Sequence, residues 1–327
     1  LANHHGLMIA GEAALSNWDA GMDMYIYGKL GNLIMTKEGI NVLMTNLTGK
    51  VPRILQRLDY IRFNGEAAGY LHDLTLTGLF HTGAGMVKTD VMMSIDEQSM
   101  SRTYSGSVAS ADLDLGKLLN QEKKFGKVDF NVELKGFNYK NRYPESYIKG
   151  IISSFEYSQY QYENIMLDGV YKDGGFNGRL SMDDANGSVQ IDGNFNVAKT
   201  IPDFNLKASV KNLRPHDLHL SDKYENASIS LGLTADFTGK SIDDMNGRIS
   251  LDSLQLNAPD ERGCFLDNLT ITAGQVSGEK ELRINSSFMT AVIRGDYSYH
   301  TIPASVVKTV QRYIPSLLTI KDNMPEP

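Results

Sequence analysis

The side chains of this 327-residue sequence with chemistry beyond packing and solvation are few: seven histidines, some paired carboxylates, a tyrosine run and one cysteine. His216 and His219, in Pro215-His216-Asp217-Leu218-His219, have the spacing of a zinc pair. On an extended chain residues i and i+3 point to opposite faces, so both rings would reach one ion only from a helix, which Pro215 does not encourage. A polar turn is the expected role. Asp183-Asp184 and Asp243-Asp244 each stand just before a turn glycine and offer oxygen ligands for calcium. Lacking an EF-hand ligand series, they read as turn carboxylates bonded to local backbone. Tyr157, Tyr160 and Tyr162 offer flat rings for stacking a sugar, although tyrosine is also simply a good strand former. Cys264 has no second cysteine to pair with and reads as a small buried apolar group. No G-x-S-x-G elbow, P-loop or dinucleotide glycine fingerprint is present. The reading is a non-enzyme with no catalytic residue, metal or cofactor.

What would position any of these side chains is a set of β strands. Period-two alternation recurs along the chain: Val128, Phe130, Val132, Leu134; then Phe204, Leu206, Ala208, Val210; then Ile229, Leu231, Leu233, Ala235, Phe237. Asp129, Asn131, Glu133 and Lys135 fill the first set of gaps, so each strand has one apolar and one polar face. Shorter runs are expected at 24–27, 33–35, 42–44, 60–63, 69–71, 74–76, 87–93, 104–108 and 113–115. Asp173-Gly174, Asn186-Gly187 and Asn246-Gly247 have the composition of two-residue hairpin turns. Helical spacing appears twice, at 51–58 and at 303–318, where Val306, Val310, Tyr313 or Ile314 and Leu317 form a stripe that Pro315 kinks or ends. Strands on the order of 20 against two helices define an all-β chain, and two helices cannot roof its apolar face. That face must meet another sheet, fold onto itself or hold a nonprotein ligand.

Hydrophobic residues make up 41% and charged residues 22%, a composition compatible with a folded body, and one continuous unit over 1–327 is expected. A net charge of -7 argues against a nucleic-acid partner. No run approaches the ~18 apolar residues of a membrane-spanning helix. Because the chain starts at Leu1, it is expected to be an internal piece of a longer parent.

Several phrases in order resemble one family. They are Gly65-Glu-Ala-Ala-Gly-Tyr-Leu-His-Asp-Leu, Ala111-Asp-Leu-Asp-Leu-Gly-Lys-Leu-Leu-Asn, Ala208-Ser-Val-Lys-Asn-Leu-Arg-Pro, Asn268-Leu-Thr-Ile-Thr-Ala and Ser287-Phe-Met-Thr-Ala-Val-Ile-Arg-Gly-Asp-Tyr. Over roughly residues 50–320 the chain resembles the TamB branch of the AsmA-like envelope proteins, in the form found in Bacteroidetes. That resemblance implies a long curled antiparallel meander, a β-taco, with a hydrophobic concave face. It implies a periplasmic trough that passes phospholipid acyl chains between inner and outer membranes. The parent would carry an inner-membrane anchor and a C-terminal domain near the outer membrane. The expected lining is Val128, Phe130, Val132, Leu134, Val189, Ile191, Phe195, Val197, Phe204, Leu206, Val210, Ile229, Leu231, Leu233 and Phe237, with the 303–318 helix capping one end.

Three other readings compete. A closed sandwich would pack the same residues only against one another. An assembly factor would engage an outer-membrane barrel protein and template nascent strands through its sheet edges. A glycan-binding module would use the three tyrosines.

Overall fold

The computed structural model describes residues 2–4, 6–17, 20–96, 98–99, 101–138, 145–222, 225–240, 242–258, 264–296 and 298. β1 (Ala2–His4), β2 (Leu7–Ser16) and β3 (Tyr25–Thr36) precede α1 (Lys37–Thr48). β4 (Tyr60–Tyr70), β5 (Asp73–Thr82), β6 (Gly85–Ile95) and β7 (Arg102–Asp114) lead to the short α2 (Leu115–Leu119). Then come β8 (Phe125–Asn138), β9 (Glu145–Tyr157), β10 (Tyr160–Lys172), β11 (Gly175–Asp184), β12 (Gly187–Asn196) and β13 (Asp203–Leu213). β14 (Ser228–Thr238), β15 (Asn246–Asn257), β16 (Cys264–Val276), β17 (Glu279–Ser286) and β18 (Thr290–Arg294) complete the sheet. The registers join each strand antiparallel to its sequence neighbour, giving an open, curled meander.

The registers are in phase, so the apolar residues of successive strands fall on one face in rows that run across the strands. One row reads Val132, Gly150, Leu167, Leu180, Ile191, Ala208, Leu233, Leu251 and Leu269 from β8 to β16. We call this the inner face, because the caps described below fold onto it.

Bends are set by glycine and by left-handed residues. Gly193 and Gly106 have φ of 147° and 142°, and a Cβ on either would collide with the carbonyl of Asn205 or Asp90 on the adjacent strand. Asp112, Asn164, Asn212 and Ser253 hold φ between 48° and 54° toward one end of β7, β10, β13 and β15. Register slips accompany Asp112, Asn212 and Ser253. Such bulges turn the strand while keeping its apolar set inward.

The largest buried cluster, around Ile40, lies along one rim. Connections from odd to even strands all emerge there, and three of them fold over the inner face. Ile40 of α1, 1% exposed, packs with Met35, Leu58, Ile61, Leu113 and Val128, and Leu115 and Leu118 of α2 add to that cluster. Lys117 Nζ ties the caps together, donating to Asp59 Oδ2 at 2.7 Å and to the Gly83 carbonyl at 3.1 Å. Farther along the rim the 214–222 loop buries Leu218 completely, and the Tyr162 hydroxyl donates to the Leu218 carbonyl at 2.7 Å.

Several local expectations change. Residues 42–44 lie inside α1, because the Thr36 hydroxyl caps Gly39 N, Gly49 closes the helix at φ 72°, and burial of Ile40 outweighs β propensity. Of the helix expected at 51–58 only a 3-10 turn forms, at Leu55–Arg57. Runs 24–27 and 33–35 belong to one strand, β3, since Gly31 marks a bulge instead of a turn. Likewise 60–63 and 69–70 are both in β4, with Leu71 in the turn that follows, and 113–115 is the junction of β7 with α2. Asp173-Gly174 is the expected hairpin turn, with both residues at positive φ. The next turn falls on Ala185-Asn186, and Gly187 opens β12. Asn246-Gly247 sits inside β15, following a seven-residue connection from Thr238. The 303–318 segment lies outside the described residues.

Candidate functional site

On the inner face, three glycines fall side by side at one place among the described residues. Gly169, Gly178 and Gly193 stand directly opposite one another on β10, β11 and β12, with Ile148 of β9 and Leu206 of β13 at the two ends of the row. The row on one side is Leu167, Leu180 and Ile191; the row on the other is Tyr171, Phe176 and Phe195. Between the two apolar rows this leaves a furrow whose floor is Gly178, Gly193 and the Phe176 ring, which fills the space over Gly169. Its volume is about 420 Å³, within the range of small-molecule sites. Five strands at about 4.8 Å spacing give it a length of roughly 19 Å.

The aromatic wall is continuous. Tyr171, Phe176, Phe195, Phe204 and Phe237 are direct neighbours across β10 to β14. Phe204 and Phe237 stack with centroids 4.7 Å apart, and Phe176 and Phe195 tilt at 5.8 Å. The Phe176 ring leans over the Gly169–Gly178 pair, where a Cβ would collide with it. No residue lining the furrow is ionisable except Tyr171, for which the phenol is the only polar group. The furrow can therefore accept an uncharged, apolar occupant. Phe195 remains 40% exposed and Val197 60%, so this wall faces solvent at the rim opposite the caps.

The expected lining residues divide. Ile191, Phe195, Val197 and Leu206 line the furrow. Val132 and Leu233 continue the Ile191 row, Leu134 the glycine row, and Phe204 and Phe237 the aromatic row. Val189, Val210 and Leu231 form a further row joined through Met182, Ile165 and Ile152 to Phe130, all on the same face. Val128 and Phe130 belong to the capped core and are covered by protein. Ile229 pairs with Leu213 beyond the β13 bulge. Ile148, Leu167, Tyr171, Phe176 and Leu180 also line the furrow and are not among the expected lining residues. Their signal is a five-residue phrase with central glycine: Leu167-x-Gly169-x-Tyr171, Phe176-x-Gly178-x-Leu180 and Ile191-x-Gly193-x-Phe195.

The polar candidates serve structure. Tyr162 is buried, and the Tyr160 hydroxyl donates to Asp184 Oδ1 at 2.5 Å. Glu163 N and Asn186 N donate to the same carboxylate at 3.1 and 2.9 Å. Burial first, and the bond to Asp184 second, push the Tyr160 phenol up to about 12. These rings form a joint beneath the 214–222 loop and offer no open sugar platform. His219 Nδ1 lies 2.9 Å from the Ser158 carbonyl, while His216 sits beside Asp217, so the two imidazoles meet different partners. Among the described residues no three His, Cys, Asp or Glu side chains cluster as metal ligands. Asp243 and Asp244 fall in a 3-10 turn before β15. Cys264 opens β16.

The chain matches no family model, no curated protein and no solved structure.

Proposed function

We propose that this chain is a segment of a periplasmic, inner-membrane-anchored envelope protein whose inner face is a trough for phospholipid acyl chains. The observation that carries this reading is the furrow of β9 to β13, an apolar depression open to one side of a curled sheet. A lipid chain spans about half of a ~30 Å hydrocarbon core, roughly 15 Å, and fits its length. Each buried methylene gains about 0.8 kcal/mol, enough to hold tails against the sheet while headgroups stay in water. The resemblance to TamB-like sequences supports the same reading. Movement along the trough would follow a lipid gradient or an energised partner, with an outer-membrane barrel protein the expected acceptor.

The test is organic extraction of protein purified without detergent, followed by mass spectrometry of the extract and native spectra of the intact chain. Phospholipid at one or more molecules per chain is the expected result. A lipid-free chain that takes up none from vesicles of phosphatidylethanolamine and phosphatidylglycerol would overturn the proposal.

A further inference from the structure

Resting on that reading, we infer that the furrow over β10–β12 is a discrete seat for one unbranched hydrocarbon chain, bounded by Ile148 and Leu206, rather than an even stretch of trough. Three observations carry this. First, the glycine row is interrupted at both ends: upstream it continues Ile148, Leu134, and downstream Leu206, Ala235, Ile249, Ile271, Ile284. No two adjacent glycines recur in it, so the depression, floored by Gly178, Gly193 and the Phe176 ring, is local to β10–β12. Second, the Leu167–Leu180–Ile191 row and the Tyr171–Phe176–Phe195 row flank the furrow on both sides, so an occupant is held lengthwise across the strands between two apolar walls. Third, no charged side chain lines the furrow, so a charged headgroup has no counterpart within it and stays outside.

A bounded seat has a length limit. Affinity rises about fourfold for each methylene added while the chain still lengthens inside the furrow, then levels off once its end meets Ile148 or Leu206. An even trough would show no such plateau, because the apolar face continues across many more strands.

The experiment is titration of the delipidated full chain with saturated fatty acids from octanoate to eicosanoate, read by calorimetry. The expected wild-type result is a rise followed by a plateau. Ile148→Ala with Leu206→Ala lengthens the seat, so the plateau should move to longer acids. Ile191→Phe narrows the same furrow and should lower affinity for every length, which keeps the test decisive if the double variant unfolds. Affinity that climbs without a plateau, or a plateau unmoved in the folded double variant, would overturn the seat and leave the trough intact. Absence of binding by any acid, together with absence of copurifying phospholipid, would overturn both.

Discussion

Arg179 on β11 stands directly opposite Asp192 on β12, and its Nε donates to the Asp192 carboxylate. The pair is the centre of a longer alternation on the outer face. Glu133, Lys149, Asp168, Arg179, Asp192 and Lys207 are successive direct neighbours from β8 to β13, with the sign reversing at each strand. Lys149 and Asp168 approach to 3.6 Å. This ladder lies directly behind the furrow. A one-residue slip would move charges into the apolar face, and a two-residue slip would bring unlike rows together, so both errors are penalised.

Reversing one rung tests that role. Arg179→Asp should lower the thermal midpoint by a few degrees, because it sets three carboxylates side by side across β10 to β12. Asp192→Arg alone should do the same, and the two changes together should not recover the loss, because they restore one opposite-charge pair while placing a carboxylate beside Asp168 and a guanidinium beside Lys207. Equal midpoints for wild type and both single variants would show that the ladder does not specify register.

The capped rim and the open face should respond differently to substitution. Ile40→Ala removes side-chain volume from a site that is 1% exposed, and should cost about 2–5 kcal/mol in urea unfolding. Ile191→Asp lies on the half-buried open face, so the chain should stay folded and lose its lipid. Global unfolding of Ile191→Asp would instead indicate a closed core over the furrow.

Acid should loosen the last strands first. Glu281 on β17 is nearly buried between Arg294, whose Nε donates at 2.7 Å, and Arg283, whose Nη2 donates at 3.0 Å. These two bonds, Arg294 first, hold its carboxyl below the ordinary value. A depressed folded value means that the stabilisation is present above the unfolded pKa and is lost as pH falls through the folded one. Glu281→Gln should therefore flatten the acid limb of the stability curve. Hydrogen exchange at β17 and β18 measures it, and an unchanged limb would count against the role.

Much of this architecture was legible because period-two alternation survives curling: the β8, β12, β13 and β14 patterns all placed their apolar sets on the inner face. Asp173-Gly174 was equally plain, since its turn needs positive φ at both positions. Ser158-Gln159 and Ser277-Gly278 make the same kind of turn with less diagnostic residues, so they went unread. α1 was hidden because Ile40 and Val42 favour strands, and only the Thr36 and Gly49 caps reveal a helix. The furrow was hidden for a different reason. Each glycine-centred phrase looks like a weak strand by itself, and depth arises only when register aligns three of them.

The joint between Tyr160 and Asp184 gives an alkaline prediction with the opposite sign. Desolvation and the bond to Asp184 favour the protonated phenol in the folded chain, raising it from 10.0 to about 12. A raised value means that this stabilisation is fully present below the unfolded pKa and is lost as pH rises through about 12. Tyr160→Phe removes the donor and leaves Asp184 with only its backbone bonds from Glu163 and Asn186. At neutral pH that should cost about 1–2 kcal/mol. Above the ordinary tyrosine range the two proteins should converge, because the wild type surrenders there what the variant never had. Urea midpoints taken from neutral pH upward test this directly, and curves that stay parallel would show that the phenol's ionisation is not coupled to folding. The position of the joint gives the result a wider meaning. Tyr162 is hydrogen-bonded to the loop that covers the rim and stacks edge-on with Tyr160 at 4.8 Å, so loosening one ring frees that cap. A Tyr160→Phe chain that holds its lipid less tightly while its sheet remains folded would tie that rim to retention.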